Sequence, residues 1–251
     1  MRRTLAPIAV LVAAVALGAA ALTGGTQIAP QLLPEPTRPA ATITTSAQAL
    51  VDAGLASVDA DGGVRVDAAA TRSLLEQLPA SDLGVAGYDR DAFGQRWKDI
   101  DRNGCDTRND VLRRDLVDVT LKPGTNGCVV LSGTLHDPYT GTSIDFVRGQ
   151  GTSELVQIDH IWPLALSWDH GAAGWSIEQR ETFANDPLNL QAVDGSANAS
   201  KSASGPGSWL PENSAVHCEY VARFTLIAAE YSLTVGSLDR TTIATVLDSC
   251  R

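Results

Sequence analysis

The stretch that decides the fold runs from Ile158 to Lys201. It opens Ile158-Asp159-His160-Ile161-Trp162-Pro163 and closes Asn198-Ala199-Ser200-Lys201. Leu155, Val156 and Ile158 read as an apolar strand, and Pro163, which cannot donate to a sheet ladder, ends or edges it. Side chains alternate faces along a strand, so Asp159 and His160 reach one pocket only if the strand stops and twists there. Asn185-Asp186-Pro187-Leu188-Asn189 then reads as a turn into a short extended piece through Val193. Asp194-Gly195-Ser196 reads as a turn into a short helix, with Asp194 or Ser196 as N-cap. Asn198 and Lys201 share one face of that helix.

The side-chain chemistry of this stretch is a set of complementary roles. A carboxylate such as Asp159 holds a hard divalent cation, and a neutral imidazole beside it takes a proton from water. An amide oxygen at Asn198 is a second oxygen ligand, and the Lys201 ammonium can answer a phosphate. Each residue also has an ordinary reading: Asn189 as a turn residue, Asn198 and Lys201 as a solvated helix face. The ordered conjunction is what carries the functional reading.

Asp159-His160, Asn189, Asn198 and Lys201 in this order resemble the ββα-metal core of HNH endonucleases. The wider chain resembles a secreted bacterial HNH subgroup related to the C-terminal nuclease domain of GmrSD-type modification-dependent restriction enzymes. The resemblance extends from Gly87-Tyr88-Asp89-Arg90 through Cys105-Asp106-Thr107-Arg108 and Leu135-His136-Asp137-Pro138-Tyr139-Thr140-Gly141 to Cys250. It implies an α+β fold in which a small antiparallel sheet and a helix form the core, surrounded by helices and stapled by disulfides. It implies His160 as the general base, Asp159 and Asn198 as ligands of one divalent metal, and Asn189 as a residue that helps orient the base. Asn198 stands where other members of the superfamily carry His. An amide oxygen there makes the site harder, which favours Mg²⁺ or Mn²⁺ over Zn²⁺. The implied activity is hydrolysis of phosphodiester bonds in DNA, with RNA as a second substrate class, and with little sequence specificity.

Outward from this core, Met1-Arg2-Arg3 and the Ala-rich apolar run to Leu22 read as a signal peptide, with an uncleaved N-terminal anchor as the alternative. The implied location is extracellular, or membrane-anchored with an extracytoplasmic domain; a membrane is a partner only if the segment stays uncleaved. Residues 23–45, rich in Pro, Thr and Ala, read as a tether. Residues 46–86 read as an N-terminal helical segment with a turn at Asp59-Ala60-Asp61-Gly62-Gly63, and residues 87–251 carry the nuclease-like domain. Asp106 or Thr107 is expected to cap a helix through Val111, Leu112 and Leu116. Arg108 on that helix is a candidate phosphate contact, a structural ion pair with an Asp being equally open. Val129–Leu135 and Thr142–Val147 are expected strands around the Asp137–Gly141 turn, with His136 as a second substrate-contact candidate. Ser176-Ile177-Glu178-Gln179 is a capping box. A long amphipathic helix is expected from Ser214 and a last one from Ser237.

Four cysteines in a chain with an expected export leader imply two disulfides, with three connectivities open. Cys105 with Cys128 and Cys218 with Cys250 is the expected pairing, since each pair flanks one local unit. The net charge of −10 grows more negative still without Arg2 and Arg3. Such a chain cannot rely on a basic surface to hold nucleic acid, so weak, salt-sensitive binding is expected. No stable protein partner is implied. The rival readings are a non-catalytic secreted binding protein and a phosphodiesterase acting on a cell-envelope substrate.

Overall fold

The computed structural model describes residues 45–250. The expected leader at 1–22 and the expected tether, apart from its last residue, lie outside the described residues. Among the described residues no helix is long and apolar enough to cross a membrane.

The N-terminal segment is helical at both ends. Helix α1 spans Thr45–Asp52 and α2 spans Ala68–Gln77, capped by Asp67, whose side chain accepts from the Ala70 amide. Between them the structure adds a small antiparallel hairpin, β1 (Ala56–Val58) with β2 (Val64–Val66), which the sequence reading takes only as a turn. The Asp59 carboxylate closes that turn by accepting from the Asp61 and Gly63 amides at 3.1 and 2.7 Å.

Helix α3 (Thr107–Asp115) starts as expected from an Asp106 cap, which accepts from the Asn109 amide at 2.8 Å. Leu116, expected inside that helix, instead opens strand β3 (Leu116–Leu121). The strand is hard to see in the sequence because Asp118 takes a positive φ of 53° and the register slips on either side of Thr120. Strands β4 (Val130–His136) and β5 (Ser143–Val147) follow, and β3-β4-β5 form an antiparallel sheet. Then come β6 (Val156–His160), α4 (Leu164–Asp169), α5 (Ile177–Asn185), β7 (Leu190–Asp194) and α6 (Gly195–Lys201). The capping box at Ser176 and Gln179 is present at the start of α5. Helices α7 (His217–Glu230) and α8 (Ser237–Leu247) close the chain.

Two cores meet at the β6–β7 pair. Ile158 and Leu190 pack with Val111, Leu112, Leu135 and Phe146 under α3 and the three-stranded sheet. Ile161, Trp162 and Val193 join the other core, against Phe224 and Ile227 of α7. Trp162 is fully buried, stacks on Phe224 at 4.1 Å between centroids and donates its indole N–H to the Phe224 carbonyl. Truncating such a side chain to Ala removes on the order of 3–5 kcal/mol. The strand pair is therefore clamped from both faces, and its end is held rigidly.

Both disulfides pair as expected. Cys105–Cys128 ties the start of α3 to the entry of β4, and Cys218–Cys250 ties α7 to the residues after α8. In the chain-entropy account each such loop contributes roughly 3–4 kcal/mol. Mixed α and β structure with small antiparallel sheets and two disulfides is thus what the chain forms.

Candidate active site

The unit that carries the site is strand, strand, helix. Asp159 lies opposite Gln191 and His160 opposite Leu190 in the β6–β7 ladder. Helix α6 begins directly at the end of β7, with the Asp194 side chain accepting from the Ala197 amide at 2.8 Å. Gly195 permits this tight junction: a Cβ there would lie 2.2 Å from the Glu154 carbonyl oxygen. Strand β6 stops at His160, and both Asp159 and His160, at 5% and 8% exposure, line one cleft.

Asp159 sits in a web of donors. Its Oδ2 accepts from the Tyr139 hydroxyl at 2.6 Å and from Lys201 Nζ at 2.9 Å; Lys201 also reaches Oδ1 at 3.2 Å and the His160 carbonyl at 2.8 Å. Lys201 is fully buried. Here the structure differs from the expected phosphate contact: the ammonium points inward and spends its donors on protein oxygens. Burial pulls its pKa down while the Asp159 carboxylate opposes that shift. A charge this deep persists only against a counter-charge with good geometry, and Asp159 supplies it.

The His160 ring is fixed by one hydrogen bond. Its Nε2 lies 2.9 Å from the Ala184 carbonyl, which can only accept, so Nε2 carries the proton and Nδ1 is left as an acceptor. Burial lowers the pKa of the ring to about 4, so the imidazole is neutral at neutral pH. Asn189, also fully buried, makes no hydrogen bond to this ring. Its amide clasps the backbone of Trp162, accepting from the N–H at 2.8 Å and donating to the carbonyl at 3.3 Å, so it fixes the chain just past His160. Arg223, buried on α7, braces the same turn through the carbonyls of Leu188 and Leu190 at 2.7 and 2.8 Å.

Asn198 joins Asp159 and His160 in the cleft, which measures about 350 Å³. Its Nδ2 donates to Gln157 Oε1 at 2.8 Å, and its Oδ1 has no protein partner among the described residues. Asp159 Oδ1 receives one hydrogen bond and keeps a further lone pair. Two oxygen donors of the type a hard cation takes therefore face one space. Among the described residues no group of three or more His, Cys, Asp or Glu side chains is arranged to hold a metal ion, so any cation here would complete its shell from water and substrate.

Arg108 and His136 stand apart from the group around His160. Arg108 lies on α3, where its guanidinium leans on the Trp97 ring at 6.0 Å and donates to the Ser153 and Val156 carbonyls at 3.4 and 3.3 Å. It ties down the entry to β6, does not line the cleft, and forms no ion pair at contact distance, although the Asp106 charge acts on it. His136, exposed at the end of β4, has Nδ1 3.0 Å from the Ser143 hydroxyl across the strand pair. Neither residue lines the cleft that holds His160.

Three groups escape the sequence reading. Arg90 and Tyr88, both exposed, stand at the rim of the cleft, where the Arg90 charge further disfavours protonation of His160. Tyr139 donates to Asp159 from the Asp137–Gly141 turn. All three lie in stretches singled out for their resemblance, but nothing local says that they converge.

Residues 106–243 match the family described as GmrSD restriction endonucleases, C-terminal domain. An uncharacterized secreted protein of the fungus Arthroderma benhamiae is 34% identical over 186 residues, which is 73% of this chain and 86% of that protein. No solved structure matches the chain. The family match spans more than half of the sequence and takes in β6, β7 and α6 together with the three-stranded sheet before them, so the chain belongs to the GmrSD restriction endonuclease C-terminal domain family.

Proposed function

We propose that the chain is an exported, metal-dependent endonuclease of the HNH type, in which β6, β7 and α6 act as the ββα-metal core. Its substrate is DNA, with RNA as the alternative. The observation that carries this reading is the free Nδ1 of a neutral, buried His160 beside the oxygens of Asp159 and Asn198 in one cleft. His160 takes a proton from water as its oxygen forms a bond to phosphorus; the P–O bond to the leaving oxygen breaks, and the proton is passed on to that oxygen. Asp159 and Asn198 would hold one divalent cation, Mg²⁺ or Mn²⁺, which when bound offsets the charge that develops on the phosphate and the leaving oxygen. Lys201 and Tyr139 keep Asp159 aimed, and Asn189 keeps the strand end in place. The exposed cation that meets the phosphate is Arg90 rather than Lys201.

Export is supported by the basic and apolar N-terminal run, by the two disulfides and by a relative named as secreted. The chain is expected to act alone, with a membrane involved only if that N-terminal segment is retained. Plasmid cleavage by the disulfide-bonded protein in Mg²⁺ or Mn²⁺ tests the reading, beside EDTA and His160→Ala. Cleavage lost in both controls is expected, with His160→Ala down at least about 10²-fold, the scale of general-base catalysis. A His160→Ala protein that cuts at the wild-type rate sinks the assignment. Folded protein that cuts under no metal moves the role to an envelope phosphodiester or to binding.

A further inference from the structure

The His160 ring borders a second, smaller space beside the turn at Arg90–Phe93. Arg90, His160 and Leu164 line both this space and the first cleft, whereas Phe93, Arg96 and Trp97 line only the second. Its enclosed part is about 20 Å³, room for about one water, so no base enters it. What it presents to a substrate is charge. Arg90 and Arg96 are both exposed, and no Asp or Glu lines the space.

The backbone that carries these two arginines is held from behind by α5. Arg180 donates to the Ala92 carbonyl at 2.8 Å, and the Glu181 carboxylate accepts from the Gln95 amide at 2.8 Å. Asn185 donates to the Gln95 carbonyl at 3.0 Å and accepts from the Lys98 amide at 2.9 Å. Gly94 turns the chain with a φ of 73°, at a place where a Cβ would lie 2.6 Å from Glu181 Oε1. The same helix supplies the Ala184 carbonyl that fixes the His160 ring. One helix therefore sets both the proposed base and the strap that bears Arg90 and Arg96.

The two guanidinium groups, unlike their backbone, are left open. With 29 Asp and Glu against 19 Lys and Arg, carboxylate partners are plentiful in this chain, and Lys98, Arg72, Arg113 and Arg114 each have one. Neither Arg90 nor Arg96 meets a carboxylate at ion-pair distance among the described residues. Asp89 and Asp91, beside Arg90 in sequence, line neither space. Burial pushes the pKa of the Tyr88 hydroxyl up while Arg90 and Arg96 both pull it down, so both charges reach the rim of the first cleft. We propose that Arg96 forms a second phosphate subsite, which takes the phosphate next to the scissile one, with Arg90 standing between the two. The substrate strand is then held by charge along a short run of two phosphates, without a base being read. The subsite rests on the polynucleotide substrate proposed above.

Equilibrium binding in EDTA, where nothing is cut, tests the subsite apart from the chemistry. The probe is a short single-stranded DNA titrated against the full disulfide-bonded chain over a range of NaCl. Two phosphate contacts give an expected slope of log affinity on log salt of about −1.4. Arg96→Ala is expected to weaken binding about three- to tenfold and to flatten the slope by about 0.7, while Arg96→Lys keeps the slope. Arg65→Ala removes the same charge from the β1–β2 hairpin and is expected to change neither. The second measurement follows cutting, in Mg²⁺ or Mn²⁺, of the trinucleotide TpTpT with one or the other phosphate made neutral as a methylphosphonate. Loss of the neighbouring charge on one side of the cut is expected to raise the wild-type KM about three- to tenfold with kcat within about twofold, and to cost Arg96→Ala nothing further. A wild-type slope in Arg96→Ala, an equal loss in Arg65→Ala, or a methylphosphonate penalty that persists in Arg96→Ala overturns the subsite. Binding weakened in Arg96→Ala, by a protein that leaves DNA intact under every metal, supports the subsite and overturns the nuclease reading alone. Absence of any binding overturns both.

Discussion

The β6–β7 pair and the β3-β4-β5 sheet are both small and antiparallel, yet they treat polar side chains in opposite ways. The three-stranded sheet leaves one side to solvent, with Val117 at 44% and Val147 at 54% exposure, and its His136 settles on a neighbouring serine hydroxyl. The β6–β7 pair is covered on both faces, and the polar side chains at its end are buried among fixed partners: Asp159 meets Tyr139 and Lys201, His160 Nε2 meets the Ala184 carbonyl, and Asn189, just before β7, meets Trp162. A buried polar group without partners is strongly destabilising, so a chain keeps such a group only in a complete network. Burial in which the supporting atoms are paired and His160 Nδ1 and Asn198 Oδ1 are left open, rather than residue type, separates the site from the surface. His136 and Arg108 have the right chemistry in the wrong environment.

The sharpest way to break this comparison is at Lys201. Lys201→Met leaves the buried Asp159 without its counter-charge, and a loss of about 3–5 kcal/mol is expected in the denaturant-unfolding free energy. Asp159→Asn made together with it should recover part of that loss, because the two residues share one interaction. A single variant within about 1 kcal/mol of wild type would mean that the ammonium is dispensable.

His160 offers the next largest effect, through pH. Its folded pKa is lowered to about 4 from the ordinary 6.5 by burial. Between those values the unfolded chain binds a proton that the folded chain does not, so stability falls as pH drops through this window and is fully present above it. The contribution is roughly 3 kcal/mol at most. Unfolding midpoints measured from pH 7 to pH 4 should fall more steeply for wild type than for His160→Gln. Parallel curves would show that the ring is not buried as a neutral group.

Tyr139→Phe comes third. It removes one donor from Asp159 while Lys201 remains, so a loss of about 1–2 kcal/mol is expected, with cleavage reduced and not abolished. Full activity at unchanged stability would remove Tyr139 from the support of the site. The smallest effect belongs to the exposed sheet: His136→Ala should fall within about 0.5 kcal/mol of wild type, with cleavage unaltered. A large loss of cleavage there would erase the distinction between the two sheets.

Much of the local structure was legible in the residues themselves. Asp106, Asp194 and Ser176 announce helix starts, and each is a cap in the fold. The Asp137–Gly141 turn joins the two strands expected on either side of it. The disulfide pairs follow from the units they flank. What the sequence obscured was β3, where a left-handed Asp118 and register slips break the alternation that marks a strand.

By itself, then, the sequence determined the strand, strand, helix unit at 156–201 and the membership of Asp159, His160 and Asn198 in it, because capping, apolar runs and turn residues act over a few positions. Only the tertiary structure decided which charge faces which. Tyr139 finds Asp159 from 20 positions away and Lys201 finds it from 42, while Ala184 fixes the His160 proton from 24. Those pairings are set by two cores closing on one strand pair and excluding water from it. Once water is gone, each buried polar atom must take the partner that packing brings, and no local pattern records which one that will be.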